Sequence, residues 1–186
     1  MPKIITDDIS KYNTEWWEKF YSKYGHHNTE EELETFKLAS EIVGDKSIID
    51  VGCGEGEASQ YFKDYTGIDW SKTVIDRAKS KYVGLFFNCD IDDIKEHYDY
   101  ALLSQVMEHL ENPSEYIAKI KKVADKVIVI IPNGEIGKTI VDNDKNYLKE
   151  MVDVDYHYAT YTKEDIDELF NPKWILAEGN NLMFIV

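Results

Sequence analysis

The chain has 186 residues, 43% of them hydrophobic and 13% aromatic, which is enough apolar material for one domain with a full-sized core. Its 21 Lys and Arg face 36 Asp and Glu, and the net charge of −15 disfavours binding to nucleic acid or to an anionic membrane. The sequence contains no long apolar run and no secretory leader, so we expect no membrane partner and a cytoplasmic location.

The sequence pattern of residues 1–44 predicts two helices. The first has aromatic residues at helical spacing, namely Tyr12, Trp16, Trp17, Phe20, Tyr21 and Tyr24. This stripe favours the packed face of an amphipathic helix, with the alternative that it also roofs a pocket. Thr29 and Glu32 then have the spacing of a capping box, which predicts a second helix that ends near Gly44.

The next part of the chain alternates between strands and helices. The patterns predict strands at residues 47–51, 65–69, 85–88, 98–104 and 126–131, and helices at 57–63, 72–80 and 113–124. Ser71 is the predicted N-cap of the second of these helices, and Asn112 with Pro113 is expected to begin the third. Strands that are separated by helices favour a parallel sheet with helices on both faces.

The last part of the chain adds a helix and a hairpin. Thr162 and Asp165 predict the helix start, and residues 173–177 and 182–186 flank a Gly-Asn-Asn turn that predicts two antiparallel strands. Residues 133–160 have no clear pattern and follow the fifth strand. Because loops beyond the carboxyl ends of strands build the ligand crevice of an open α/β sheet, we expect this segment to determine substrate specificity.

The segment IIDVGCGEG, residues 48–56, has glycine at every second position directly after a predicted strand. A P-loop is excluded because no G-K-[ST] follows. A dinucleotide fingerprint requires a small residue at position 57, where the chain has Glu57. Both Glu55 and Glu57 would oppose a pyrophosphate at a helix N-terminus. The turn therefore favours a ligand whose positive charge lies close to the glycines.

The pattern Asp50-x-Gly52-x-Gly54-x-Gly56 resembles motif I of the class I S-adenosylmethionine-dependent methyltransferases. Glycines let the backbone pass close to the amino-acid portion of that ligand, and an acid at the strand end would help to hold its ammonium group. The resemblance implies S-adenosyl-L-methionine as the cofactor, with contacts from Asp50, Gly52, Cys53, Gly54 and Gly56.

A second segment, Gly-Ile-Asp-Trp at residues 67–70, resembles the next motif of the family. The resemblance implies that Asp69 accepts hydrogen bonds from both ribose hydroxyls and that Trp70 packs against the adenine face. The likeness continues in register over roughly residues 45–131.

Two further segments complete the resemblance. In Asn-Cys-Asp-Ile, the third motif, Asp90 would accept from the adenine amino group and Ile91 would cover the ring. After the fourth strand, Ser104 and Gln105 would touch the methionine portion. Four motifs in order at the expected strand tips make a specific signal, stronger than the glycine turn alone.

The family resemblance also implies an architecture. We expect an α/β fold with a Rossmann-like, doubly wound, mostly parallel seven-stranded sheet, an antiparallel C-terminal hairpin strand and helices on both faces. A single methyltransferase domain would cover residues 1–186. It would comprise a helical cap at 1–44, a cofactor-binding core at 45–131, and a substrate loop with the hairpin at 132–186.

The phrase QVMEHLENP resembles the E-H-L stretch of small-molecule methyltransferases of the ubiquinone-biosynthesis type. It implies Glu108 and His109 as catalytic residues, and histidine has an ordinary pKa that suits proton abstraction from a hydroxyl. Packing of the turn is the equally good alternative for His109. We expect the acceptor to be a small molecule that is methylated on oxygen or nitrogen.

Two other functions stay open. Glu108, His109 and His157 also resemble the metal site of RNA 3′-terminal 2′-O-methyltransferases, but Gln105 replaces the first glutamate of that site, and an amide is a poorer ligand for a hard dication. This replacement and the net charge of −15 both argue against a nucleic-acid substrate and a bound metal. A cofactor-binding module without turnover is the second alternative.

Cys53 and Cys89 lie in no C-x-x-C motif, so we expect inert thiols.

Overall fold

The computed structural model describes residues 2–4, 13–24, 28–134, 159–177 and 179–186. Within these ranges the strands are β1 (Lys3–Ile4), β2 (Ser47–Val51), β3 (Asp64–Asp69), β4 (Leu85–Asn88), β5 (Tyr98–Ser104), β6 (Ala124–Pro132), β7 (Ala159–Thr160), β8 (Lys173–Leu176) and β9 (Asn181–Ile185). The α-helices are α1 (Thr14–Tyr24), α2 (Glu30–Val43), α3 (Lys72–Lys81), α4 (Pro113–Ile120) and α5 (Lys163–Phe170). Among the described residues, no helix has the length and apolarity needed to cross a membrane.

Seven of the strands form one sheet in the order β4-β3-β2-β5-β6-β9-β8. The first five strands of that order are parallel to one another, and β9 runs antiparallel to both β6 and β8. The predicted fold class is therefore confirmed, including the antiparallel hairpin. The strand order reverses between β2 and β5, and such a switch point opens a crevice at the carboxyl ends of the strands.

The central strands are buried on both faces because successive apolar side chains point to opposite sides of the sheet. One core cluster includes Ile49, Val51, Leu103 and Val129, and the other includes Ile48, Leu102, Ile128 and Ile130. These residues alternate along β2, β5 and β6, which explains the unbroken apolar runs in the sequence. The two clusters fix the sheet between its helix layers.

Two predicted helices are shorter than the sequence indicates. Residues 57–60 form only a 3₁₀ turn instead of a helix to residue 63, and the Ser59 hydroxyl donates to the Gly56 carbonyl at 2.6 Å. Such a local side-chain bond competes with α-helical geometry. Helix α4 ends at Ile120 because the chain tightens into i→i−3 turns before β6, and the Asn112 side chain makes no capping bond.

Helix α1 lies against the N-terminal half of α3 through polar contacts. The Glu18 carboxylate accepts hydrogen bonds from the backbone N–H groups of Lys72 and Thr73, which have no intrahelical partner at the start of α3. The Arg77 guanidinium donates to the Tyr21 carbonyl at 2.9 Å. These contacts position the aromatic residues of α1 near the carboxyl ends of the strands.

The capping box predicted for α2 is present, α5 begins at the predicted place with a second capping box, and this second box offers a test of local stability. Thr162 Oγ1 accepts from the Asp165 amide, and the Asp165 carboxylate accepts from the Thr162 amide at 3.0 Å. Replacing Thr162 with Ala should cost about 1 kcal/mol and lower Tm by about 2–4 °C. Thermal unfolding followed by circular dichroism measures the shift. Thr162→Ser, which keeps the hydroxyl, should match wild type; equal loss in both variants would contradict a role for the cap.

Candidate functional site

A cavity of about 300 Å³ opens at the carboxyl ends of β2, β3 and β5. Its walls come from the glycine turn, the ends of three strands, the loop after β5, and helices α1 and α4. The lining residues are Trp17, Tyr21, Val51, Gly52, Ile68, Asp69, Trp70, Cys89, Ser104, Gln105, Val106, His109, Leu110, Glu111 and Tyr116. The cavity thus lies at the switch point, where an open α/β sheet binds its ligand.

The glycine turn fits closely between β3 and the loop after β5. The amides of Gly52 and Cys53 both donate to the Ile68 carbonyl, at 2.9 and 3.0 Å. Gly52 has a φ of +79°, and a Cβ there would lie 2.6 Å from Cγ2 of Val106. Only glycine combines that backbone conformation with that approach. The turn therefore presents backbone, not side chains, to the cavity at this point.

Asp69 connects the glycine turn to the start of α3. Its Oδ2 accepts from the Gly54 amide at 3.0 Å, and its Oδ1 accepts from the Ser71 amide at 2.8 Å. Burial raises the pKa of Asp69 to about 6, against the lowering effect of these backbone hydrogen bonds. The carboxylate still lines the cavity, and each of its oxygens has a second lone pair. Asp69 can therefore hold the turn and at the same time accept hydrogen bonds from a ligand.

Trp70 and Asp90 interact with each other at one end of the cavity. The Trp70 indole N–H donates to Asp90 Oδ2 at 2.7 Å, and the Asp92 amide donates to Asp90 Oδ1 at 3.1 Å. Trp70 lines the cavity and is 41% exposed, whereas Asp90 does not line it. Ile91 is buried in the core. The Trp70–Asp90 hydrogen bond follows from no pattern in the sequence.

Tyr116 is a cavity residue that the sequence argument missed. It projects from the first turn of α4 and packs partly against the core. Burial, and next the charge of Asp90, raise the pKa of its phenol well above the ordinary value. In the sequence, Tyr116 is marked only by its position one residue before the buried Ile117. A residue at that position is equally typical of ordinary helix packing. Tyr116 is therefore a neutral hydroxyl at physiological pH.

Asp50 and Cys53 lie beneath the turn instead of in the cavity lining. The Tyr65 hydroxyl donates to Asp50 Oδ2 at 2.6 Å. Burial raises the pKa of Asp50 to about 7. The Cys53 thiol packs in the core against Gly67, and burial raises its pKa well above the ordinary value, so it is an unreactive thiol. Both residues support the turn from below.

Gly54 and Gly56 also face the protein. The Gly54 amide is bonded to Asp69, and a Cβ at Gly56 would lie 2.6 Å from the Phe86 ring. Glu55 forms ion pairs with Arg77, at 2.9 Å, and with Lys81. The electrostatic argument against a pyrophosphate was therefore wrong for Glu55, whose charge is neutralised. The absence of a small residue at position 57 still excludes the dinucleotide fingerprint.

The end of β5 presents polar atoms to the middle of the cavity. Among the described residues, the Ser104 hydroxyl is buried without a hydrogen-bond partner. Gln105 has a φ of +55°, which is strained for a residue with a side chain, and its amide Nε2 donates to Asn181 Oδ1 at 3.1 Å. A buried polar atom without a partner, next to strained backbone, is typical of a ligand-binding site.

The opposite end of the cavity is aromatic. His109 packs edge-to-face against Trp17, with ring centroids 5.1 Å apart and an interplanar angle of 78°. Tyr21 stacks on Trp17 and also lines the cavity. The aromatic stripe of α1 therefore covers part of the cavity, as in the alternative left open from the sequence.

Residues 24–171 match the family described as "Methyltransferase domain". The match covers more than half of the chain and includes the glycine turn and the whole cavity wall from β2 to α4. The chain belongs to this family. The resemblance derived from the four motifs is thereby confirmed.

Individual relatives of this methyltransferase domain are distant. The chain is 29% identical over 166 residues to the ubiquinone biosynthesis O-methyltransferase of Rickettsia typhi, a match that covers 80% of this chain and 65% of that protein. The chain thus spans about two thirds of the length of that curated relative.

Solved structures of the same fold include magnesium protoporphyrin IX methyltransferase from Synechocystis PCC 6803 with bound SAH, at a TM-score of 0.62, 15% identity and 95% coverage of both chains. The plantazolicin methyltransferase BpumL in complex with SAH gives a TM-score of 0.62 and 22% identity, over 88% of this chain and 67% of that one. At these identities the likeness shows the fold of the domain.

Glu108 has an unusual environment in this methyltransferase domain. It is 2% exposed, does not line the cavity, and among the described residues neither of its carboxyl oxygens has a hydrogen-bond partner. Burial raises the pKa of Glu108 to about 8, so the carboxyl is mostly protonated at neutral pH. His157 lies outside the described residues, and the described part of the chain contains no group of three or more metal-ligating side chains.

The buried carboxyl of Glu108 predicts a pH-dependent stability. Folding raises the pKa of Glu108 from 4.5 to about 8. Between these pH values the unfolded chain loses the proton while the folded protein keeps it, so the contribution of this carboxyl to the free energy of unfolding is highest below pH 4.5 and falls as the pH rises through about 8. Glu108→Gln stays neutral, so between pH 5 and 8.5 wild type should lose roughly 2–4 kcal/mol more than this variant. Urea denaturation at the two pH values measures the difference.

Glu111→Gln provides the matched control because Glu111 is exposed. Its stability should follow that of wild type at both pH values. Asp50 and Asp69 are present in all three proteins, so their own pH effects cancel in the comparison. If Glu108→Gln lost as much stability as wild type at alkaline pH, the carboxyl would not be protonated in the folded protein.

Proposed function

We propose that the protein is an S-adenosylmethionine-dependent methyltransferase that transfers a methyl group to an oxygen or nitrogen of a small-molecule acceptor. The observation that carries this proposal is the Asp69 carboxylate, which lies in the cavity wall and holds the glycine turn through the Gly54 amide. Family membership and the SAH bound in related folds support the choice of cofactor.

The lining residues fit the parts of this cofactor in the order that the chain presents them. Asp69 has free lone pairs for the ribose hydroxyls. Trp70 and Tyr116 offer aromatic surfaces at the end proposed for the adenine. The Ser104 hydroxyl, which has no partner among the described residues, and Gln105 lie in the middle of the cavity, which we assign to the methionine portion.

Two proposed cofactor contacts need adjustment to this geometry. Asp90 already accepts from Trp70 and Asp92, so a bond from the adenine amino group would be a third one to this carboxylate, which has about four acceptor sites. Asp50 is buried with Tyr65, so its effect on an ammonium group would act through the turn and not by direct contact.

The chemistry that the cofactor supplies is a sulfonium methyl group that is open to in-line displacement. The protein contributes orientation, exclusion of water, and a base where the nucleophile carries a proton. We assign the base to His109, because its ring lines the cavity beside Trp17. Glu108 was a candidate for the same role, but its carboxyl is buried and does not line the cavity, so we do not assign it to the reaction.

The charges of the lining residues limit the charge of the acceptor that the cavity can bind. Among the described residues, no Lys or Arg lines the cavity, whereas Asp69 and Glu111 do. An acceptor with a carboxylate or phosphate near its reacting atom would find no cationic partner among the described lining residues. Trp17, Tyr21 and Leu110 supply apolar surface instead. These residues support an uncharged and partly apolar acceptor.

The direct test is formation of S-adenosylhomocysteine from S-adenosylmethionine with pooled small hydroxyl and amine compounds. The proposal predicts turnover with uncharged pools and little with anionic ones, both in excess chelator. Tight cofactor binding without turnover in any pool would indicate a binding module. Activity that requires a divalent metal and an RNA acceptor would overturn the assignment of substrate class.

Asp69→Ala should weaken binding of S-adenosylhomocysteine by roughly 1–3 kcal/mol, or about 5–150-fold, because the ribose loses a charged acceptor. Isothermal titration calorimetry measures the change. Asp64→Ala, at the exposed start of the same strand, is the matched control and should bind like wild type. Unchanged affinity in a folded Asp69→Ala protein would show that the ribose lies elsewhere.

His109→Ala should lower kcat by roughly 10²-fold or more if the acceptor carries a proton that must be removed. Cofactor affinity should change little, because His109 lies at the acceptor end. The exposed His97, which is bonded to Asp125, gives the control variant His97→Ala. Steady-state kinetics with an active acceptor separate the two effects; full kcat in His109→Ala would assign that residue to packing alone.

A further inference from the structure

Exposed apolar side chains concentrate at one edge of the seven-stranded sheet. Among the described residues, five large hydrophobic side chains are exposed. Three of them, Val83, Leu85 and Phe87, lie on or beside β4, whereas Trp70 lines the cavity and Leu169 lies on α5. Single exposed apolar residues are normal, but a cluster of three at one strand indicates an interaction surface.

The strand beneath this cluster is the edge of the sheet. In the described part of the chain, β4 pairs only with β3, so one side of its backbone presents N–H and C=O groups that no strand uses. Its sequence, LFFN, contains none of the lysine, proline or bulge positions that usually block edge pairing. Phe86 is buried, whereas Leu85 is 59% and Phe87 47% exposed on the opposite face.

We propose that β4 is the interface of a homodimer, in which the edge strands of two copies pair antiparallel around a two-fold axis. The register that uses the whole strand places Leu85 opposite Phe87 of the second copy and Phe86 opposite its own equivalent. Residues opposite each other in such a ladder project to the same face. Four exposed apolar side chains, two from each copy, then cover one another.

The charges at the two ends of β4 select a second copy in this orientation. Lys79, at the end of α3, precedes the strand, and Asp90 and Asp93 follow it; Lys81 and Asp92, at the same two ends, already form ion pairs with Glu55 and Lys119 of their own copy. Antiparallel pairing brings the basic end of each copy beside the acidic end of the other, whereas parallel pairing would bring like charges together. Exposed ion pairs contribute little energy, so their effect is on orientation, and the apolar cluster supplies the affinity.

The overall charge of the chain sets the conditions for the test. At −15 per copy, long-range repulsion opposes association. At physiological ionic strength this repulsion is screened beyond about 8 Å. The dimer is therefore expected in physiological salt.

Sedimentation equilibrium on the full chain is the first test. Wild type should show a mass about twice the 21.6 kDa of one chain, and this mass should fall on dilution. The double variant Leu85→Lys with Phe87→Lys should sediment as a monomer. Leu169→Lys changes an exposed apolar residue far from β4 in sequence and should stay dimeric. A monomeric wild type, or a dimer that survives the double variant, would overturn the proposal.

Disulfide crosslinking tests the register and does not depend on the folding of the lysine variant. The proposed register places residue 83 opposite Cys89 of the second copy, and Val83 is fully exposed. Within one copy the whole of β4 lies between these positions. The strand alone spans about 10 Å at 3.3 Å per residue, beyond the ~7 Å limit for a disulfide.

Under mild oxidation, Val83→Cys should therefore form a covalent dimer on a non-reducing gel. Adding Cys89→Ala to the same chain should abolish the crosslink, because the remaining Cys53 is buried. Dimers in solution without this crosslink would contradict the register, and a crosslink that persists without Cys89 would contradict the assigned pair.

Discussion

The site depends on the hydrogen bonds that Asp69 makes to the backbone. One carboxylate, at the end of β3, accepts from the Gly54 amide in the glycine turn and from the Ser71 amide at the start of α3. These bonds join the carboxyl ends of two neighbouring strands into one rigid wall. Because the amides fix the carboxylate before any ligand arrives, ligand binding needs no reorganisation of this group, which favours affinity.

Acidic groups are buried around this wall at a cost in stability. Asp50, Asp69 and Glu108 all have pKa values raised by burial, and only the first two have hydrogen-bond partners among the described residues. Isolated buried carboxyls oppose folding when they ionise. Their concentration at one end of the sheet indicates that this end is built for binding and not for stability.

The sequence predicted the strands well and the site in outline. Strands at 47–51, 85–88 and 98–104 have the expected bounds. Continuous apolar runs identify the central strands at 47–51 and 98–104 because these strands are covered on both faces. Asp69, Trp70, Ser104, Gln105 and His109 were all expected near the ligand, and all line the cavity. Their positions follow from topology, since the carboxyl ends of parallel strands meet at one edge.

What the sequence did not predict depends on packing between distant elements. Tyr116 reaches the cavity because α4 packs against β6 and the turn at residues 91–93, and the Trp70–Asp90 bond joins residues from two loops. Glu55 has an acidic side chain, but Arg77 and Lys81 of α3 neutralise it. No local pattern records such contacts. The same holds for the exposed face of β4, whose LFFN sequence is equally typical of a buried strand.

A crystal structure with S-adenosylhomocysteine would show directly whether Asp69 holds the ribose. We expect both ribose hydroxyls within hydrogen-bonding distance of the Asp69 carboxylate, with the adenine beside Trp70 and Tyr116 and the sulfur facing His109. Density for the ligand outside this cavity, or a ribose that does not contact Asp69, would contradict this expectation.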